Sequence, residues 1–180
     1  MVEKEELEGI SVYENVVFSD DRGYFMEFFN EKKFYDGDLK GFSFKQDNIS
    51  CSKKNVLRGL HFQSPPFEQG KLVQVLKGKV IDVVVDLRKK SKSYGKHFKI
   101  ELSSENHRKL WIPPGFAHGF VALEDDTLFS YKCTNYYSKK HEMGLLWNDE
   151  TLNINWGIKY PIVSEKDKKA NKFEDLITPF

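Results

Sequence analysis

The chain has almost no cysteine, no long apolar run and no excess of either charge. Cys51 and Cys133 are its only cysteines, far apart and outside any CxxC spacing, which excludes a disulfide-stapled scaffold and a thiolate metal knot. They read as a buried, reduced pair in a cytoplasmic protein, with a single disulfide as the alternative. The 28 basic and 27 acidic side chains leave a formal net charge of +1. No global field therefore draws the protein to nucleic acid or to a membrane, and an anionic ligand must be met by a local cluster. The start, MVEKEELEGI, carries charges where a signal peptide needs an apolar core, and no later stretch is long enough to span a bilayer as a helix. Internal repeats and low-complexity segments are absent, and helical periodicity is weak, which argues against solenoids and bundles.

Aromatic residues, in contrast, are plentiful: 15 Phe, 8 Tyr and 3 Trp in 180 residues. They favour pleated, half-buried surfaces, so the composition leans towards sheet. Between Val80 and Leu87, residues Ile81, Val83, Val85 and Leu87 share one apolar face, which belongs in a core. Val80, Asp82, Val84 and Asp86 share the other, which reads as the lining of a polar cavity. HFKIELS, KLWIPP, GFVAL and LFSYKCTNYY continue as strands, separated by SSENHR, PPGFAHG and EDDT as turns. A short helix is expected near Asn30 to Tyr35. The charged stretch from Ser164 to Lys172 reads as surface with room for another short helix, and Asp175 to Phe180 as a docking tail. Many short strands without α/β alternation predict an all-β fold, a jelly-roll barrel with a few short helices, as one domain over residues 1–180.

The segment VLRGLHFQSPPFEQGKLVQV, Val56 to Val75, places Arg58, His61 and Lys71 among apolar residues. A proton acceptor with two cations suits carbanion chemistry on an anionic substrate, because an enolate needs a base to form it and positive charge to hold it. Pro113-Pro114-Gly115-Phe116-Ala117-His118-Gly119 resembles the second motif of cupin barrels, in which the histidine binds a metal. The first cupin motif would need HxH, and here the sequence reads His61-Phe62-Gln63. The nitrogen ligand set is incomplete, so a metal-free site is expected; zinc or iron would need Glu68 or another carboxylate to fill in.

Further matches follow in order: Asp21-Arg22-Gly23-Tyr24-Phe25-Met26-Glu27, Gln46-Asp47-Asn48, Leu57-Arg58-Gly59-Leu60-His61, Gln69-Gly70-Lys71-Leu72-Val73 and Asp82 to Arg88. Tyr131-Lys132, Tyr136-Tyr137, His141-Glu142, Trp147-Asn148-Asp149 and Ser164-Glu165-Lys166-Asp167 complete the set. Together with the PPGFAHG motif, this series resembles the dTDP-4-dehydrorhamnose 3,5-epimerase family of metal-free cupins, from about Asp21 to Asp167. The resemblance implies a cupin-type jelly roll, no cofactor, and a homodimer acting on a nucleotide-diphosphate 4-keto sugar. By position, His61 matches the base, Asp167 the carboxylate that orients it, Tyr131 the opposing acid and Lys71 the cation beside the oxyanion, with its charge also expected to lower the Tyr131 pKa. Arg22, Phe25, Glu27, Gln46, Asn48, Arg58, His118, Tyr137, Glu142 and Lys166 match substrate contacts. The resemblance further implies that the Arg22–Glu27 strand crosses to the neighbouring subunit.

Each residue also has a plainer reading. Alone, His61 would be structural, Tyr131 a core aromatic and Asp167 a solvated aspartate, while Asp82 and Asp86 could cap turns or pair with Arg88. His97, His107 and His141 are given no catalytic role. Arg88 to Lys92 reads as a solvated loop, and Trp111, Trp147 and Trp156 as core or interface. The nucleotide stays open, because stacking on Tyr137 tolerates any base. An epimerase of a GDP-linked 4-keto-heptose is the alternative enzyme, and a non-catalytic sugar-nucleotide barrel or a metal-dependent cupin the alternative class.

Overall fold

The computed structural model describes residues 2–4, 7–35 and 39–180. In chain order the strands run β1 (Val2–Lys4), β2 (Ser11–Glu14), β3 (Val17–Asp20), β4 (Gly23–Met26), β5 (Gln46–Ser52), β6 (Val56–Gln63) and β7 (Lys71–Lys77). They continue as β8 (Lys79–Asp86), β9 (His97–Ser103), β10 (Arg108–Ile112), β11 (Phe116–Ala122), β12 (Thr127–Cys133), β13 (Glu142–Gly144) and β14 (Ile162–Val163). Among the described residues, two short helices, α1 (Glu31–Tyr35) and α2 (Glu165–Lys168), fall where helix was expected.

One six-stranded sheet has the order β1-β2-β10-β7-β12-β5, and a second is built on β13-β6-β11-β8-β9. Pairing is antiparallel throughout both, except that β14 runs parallel to β6. The result is the all-β, cupin-type jelly roll expected from the sequence. Between the sheets lies a core of Val12, Val73, Val75, Val80, Val84, Leu110, Phe116, Phe120 and Phe129. The outer face of the second sheet, with Leu57, Leu60, Val83, Val85 and Val121, is covered by Leu145, Leu152, Trp156 and Leu176 from the C-terminal third. The outer face of the first is covered through Leu72 and Trp111 by Leu39, Phe29, Phe34, Phe42 and Phe44. Both sheets therefore bury residues on two faces, the arrangement that removes simple apolar/polar alternation.

That burial corrects the reading of β8. Val80, Asp82, Val84 and Asp86 do not line a polar cavity; all four are fully buried. Asp86 accepts bonds from Arg88, Ser91 and Ser93 and ties down the loop that follows, whereas Asp82 neither caps a turn nor meets Arg88. The PPGFAHG segment is also corrected, since Phe116 to Gly119 lie inside β11 and the turn is confined to the residues before them. Both cysteines are free, but Cys51 is exposed rather than buried. The tail docks through Leu176 and through Lys89 N–H, which donates to the Phe180 carbonyl at 3.2 Å.

Candidate active site

A cavity of about 420 Å³ opens between the two sheets and is lined by side chains from each. The second sheet contributes Arg58 and His61 from β6 and His118 from β11; the first contributes Lys71 from β7 and Tyr131 from β12. In a regular strand, Arg58 and His61 would point to opposite faces, because they are three residues apart and side chains alternate. The ladder between β6 and β11 slips register between His118 and Phe120, and Gly59 has φ +123°. This irregularity turns the strand so that both side chains reach one cavity. Only glycine fits there: a Cβ on Gly59 would stand 2.5 Å from the Gly119 Cα.

Asp167 arrives from the far end of the chain. β14 pairs with the start of β6, setting α2 beside it, and the Ser164 hydroxyl caps α2 by accepting the Asp167 N–H at 3.1 Å. The Asp167 carboxylate, nearly buried, lies 2.6 Å from His61 Nε2 and accepts the Gly59 N–H at 3.4 Å. Burial works to raise its pKa, but the bond and charge of His61, with the Gly59 N–H and Ser164, outweigh it and hold the carboxyl below its ordinary range.

Burial pushes the Lys71 ammonium down, opposed by Cys133, Asp82 and Glu142. Burial likewise pushes the Tyr131 phenol up, against the pull of Arg58. The expectation that Lys71 lowers the tyrosine is thus corrected: desolvation of the phenolate dominates, and Tyr131 keeps its proton.

A second cavity of about 270 Å³ shares His61, Lys71 and Tyr131 with the first and extends to Gln46, Asn48, Tyr137 and Glu142. Gln46 bonds Asn48 and accepts the Tyr137 N–H, each at 2.9 Å. Glu142 accepts the Tyr137 hydroxyl at 2.9 Å and pairs with Lys166 at 2.5 Å, so loop, strand and α2 meet at one carboxylate. The His61, Lys71 and Tyr131 trio therefore stands where two cavities join.

Three expected residues are elsewhere. Arg22 pairs with Asp20 on the β3–β4 hairpin with its side chain 89% exposed, and Phe25 is likewise exposed. Glu27 pairs with Lys33 at 2.7 Å. None of the three lines either cavity of its own chain. Conversely, the sequence reading missed the bond between Asp82 and His118, the capping role of Ser164, and Gln63 and Gln69 in the second cavity. The spacing Ser164-x-x-Asp167 is close to a helix N-terminal signature and could have marked α2.

A family model for dTDP-4-dehydrorhamnose 3,5-epimerase matches residues 4–175. The chain belongs to this family. The dTDP-4-dehydrorhamnose 3,5-epimerase of Shigella flexneri is 49% identical over 172 residues, covering 96% of this chain and 95% of the relative. A solved dTDP-6-deoxy-D-glucose-3,5-epimerase from Legionella pneumophila, in complex with dTDP-4-keto-L-rhamnose, superposes with a TM-score of 0.94 at 40% identity, covering 98% of this chain and 94% of that one. The dTDP-4-dehydrorhamnose 3,5-epimerase from Bacillus anthracis, with TDP and PPi bound, gives 0.93 at 42% identity, covering 96% and 99%. Family membership accounts for the ordered motifs, and the geometry shows how they converge: Asp21 to Glu27 form the exposed hairpin, and most of the others line the joined cavities.

Proposed function

We propose that this epimerase inverts C3 and C5 of dTDP-4-dehydro-6-deoxyglucose, giving dTDP-4-dehydrorhamnose. The observation that carries the reading is the placement of His61 and Tyr131 on facing sheets with Lys71 in the same cavity. Stacked sheets stand about 10 Å apart, which leaves room for one sugar ring between opposed side chains. Relatives of 40% and 42% identity bound to dTDP-4-keto-L-rhamnose and to TDP support the substrate.

With Asp167 ionised and accepting Nε2–H of His61, Nδ1 keeps the lone pair and acts as the base. It takes the proton from C5 or C3, the C–H electron pair moves into the C–C bond, and the carbonyl electrons move onto the C4 oxygen. The Lys71 ammonium stabilises that enolate oxygen. The Tyr131 hydroxyl then gives its proton to the same carbon from the other ring face while the carbonyl re-forms, inverting the centre. Solvent takes the extra proton from His61 and returns one to Tyr131, which resets both groups. Desolvation of Tyr131 favours this role, since a phenol that holds its proton is available to donate it. Arg58 and Lys166 suit the diphosphate, and Gln46, Asn48, Tyr137 and Glu142 the nucleoside.

The protein is proposed to work as a homodimer in which Arg22, Phe25 and Glu27 complete the partner's site; exposed Phe18, Tyr24 and Phe25 on the hairpin support this. Among the described residues, no helix is long and apolar enough to cross a membrane. A nucleotide diphosphate does not cross a bilayer unaided, which favours action in the cytoplasm.

Incubation with the dTDP-linked 4-keto sugar in heavy water tests the reading, with deuterium expected at both C3 and C5. His61→Asn is expected to lower exchange at both carbons by about 10³-fold or more with unchanged thermal unfolding. Exchange at C3 alone would define a mono-epimerase. Faster turnover of a GDP-linked 4-keto-heptose would overturn the substrate, and no exchange by folded protein with either would overturn the reaction.

A further inference from the structure

His118, in the cavity lining, belongs to a second imidazole–carboxylate pair that the proposed proton transfers leave unused. His118 lies opposite His61 in the β6–β11 ladder, and its Nε2 is 2.8 Å from Asp82 Oδ2. Asp82 is fully buried on β8, and its other oxygen, Oδ1, is buried with no hydrogen-bond partner among the described residues. Leaving such an atom unsatisfied is costly, the more so if it is charged. Its same-face neighbours Val80 and Val84 belong to the inter-sheet core, so packing alone would be served by an apolar side chain.

What the carboxylate supplies is charge. Lys71 lines the cavity with His118; burial raises the Asp82 carboxyl, and His118 and then the Lys71 ammonium pull it back. Of the charge assignments open to Lys71, Asp82 and His118, a cationic lysine, an anionic aspartate and a neutral imidazole sum to zero while keeping the lysine charged. Any other assignment with Lys71 protonated leaves net charge in the interior, where it is costly. In the zero-charge state, Oδ2 accepts Nε2–H from His118, and Nδ1 is the ring atom left to accept a hydrogen bond from a sugar hydroxyl.

We propose that Asp82 is a positioning residue of the epimerisation, which fixes His118 as the neutral Nε2–H tautomer facing the sugar and serves as the buried counter-ion of Lys71. The reaction thus uses paired dyads: Asp167 orients the imidazole that moves protons, and Asp82 orients the one that holds the ring. This rests on the epimerase reading above only for its kinetic consequence.

Nitrogen-15 NMR of histidine-labelled, full-length protein without ligand tests the assignment, with the His118 signals identified by their loss in His118→Asn. The groups facing His118 are Asp82 on β8, Lys71 on β7 and His61 on β6. The expected spectrum is a neutral Nε2–H ring from pH 6 to 8. In Asp82→Asn the tautomer preference should be lost. Its kcat should fall about 10- to 100-fold, the range for removing a partner that orients a functional histidine. The alkaline limb of kcat should move down by about one pH unit, since Lys71 loses its counter-ion. A protonated or Nδ1–H ring in the parent overturns the proposal whether or not the variant folds. An Asp82→Asn enzyme that keeps the parent tautomer and alkaline limb, with activity lost or not, also overturns it, because a packing role alone would give that result. The NMR arm needs no substrate, so failure of the epimerase reading shows separately as absent exchange in the parent.

Discussion

Asp167 lies in one of the most charged stretches of the chain, yet its residue is only 4% exposed. It is withdrawn from water because α2 is capped by Ser164 and held against β6 by β14. Its depressed pKa matters for function: the carboxylate stays ionised and so holds His61 in one tautomer. Asp167→Asn preserves the shape but offers an amide that can donate, and should lower kcat about 10²- to 10⁴-fold with little change in KM. Steady-state kinetics on the dTDP-linked 4-keto sugar checks this. Tyr131→Phe removes the acid while leaving His61 and Lys71 in place. It should retain hydrogen exchange at one centre or both while losing at least about 10²-fold in inverted product; a variant as active as the parent would remove Tyr131 from the mechanism. Residue identities of this kind were legible in the sequence because each came with its ordered motif. Their protonation was not: the phenol of Tyr131 is raised by burial, and burial belongs to the folded state.

One element carries the site's geometry, and a second anchors the hairpin. The slip in β6 depends on Gly59, whose positive φ and contact with Gly119 leave no room for a side chain. Gly59→Ala should destabilise the protein by about 1–3 kcal/mol or more, visible as a lower Tm, and should reduce kcat through displacement of His61. The second element is the base of the hairpin. Lys109 on β10 is fully buried, donates to the Phe28 carbonyl, and sits over the Phe28 and Phe34 rings at 4.9 and 5.5 Å. Burial lowers its pKa to about 8, against the pull of Glu27. The sign follows from proton counting: between pH 8 and 10.5 the unfolded chain holds a proton that the folded chain has lost, so stability rises with pH. Relative to Lys109→Met, the parent should gain about 3 kcal/mol of unfolding free energy from pH 7 to pH 10.5, measured by urea denaturation. Nothing in KLWIPP announced a buried lysine, since a strand's first polar residue ordinarily faces solvent.

At the scale of the whole molecule, the hairpin stands outside the two joined cavities of its own chain. Arg22, in the turn between β3 and β4, and Phe25, on β4, line neither cavity. If the hairpin serves a partner, Arg22→Ala and His61→Asn damage different components of each shared site. Mixing the two inactive variants and re-forming dimers should then rebuild an intact site in about a quarter of all sites, by random pairing of a sound cavity with a sound hairpin. Activity of the mixture above the sum of its components measures this, and no recovery after verified subunit exchange would place the hairpin in its own chain's service.

The sequence by itself determined the all-β class, the positions of most strands, the membership of the family and the identity of its chemical groups. Short aromatic and β-branched runs between glycines and prolines have few other ways to bury their side chains, and the motifs keep their order. Only the tertiary structure decided which groups meet. Arg58 and His61 share a face because of a register slip, Asp167 is buried because a distant strand lies beside β6, and Asp82 finds His118 rather than Arg88. Those outcomes depend on non-local pairing and on desolvation, and both arise only when the two sheets close over one another.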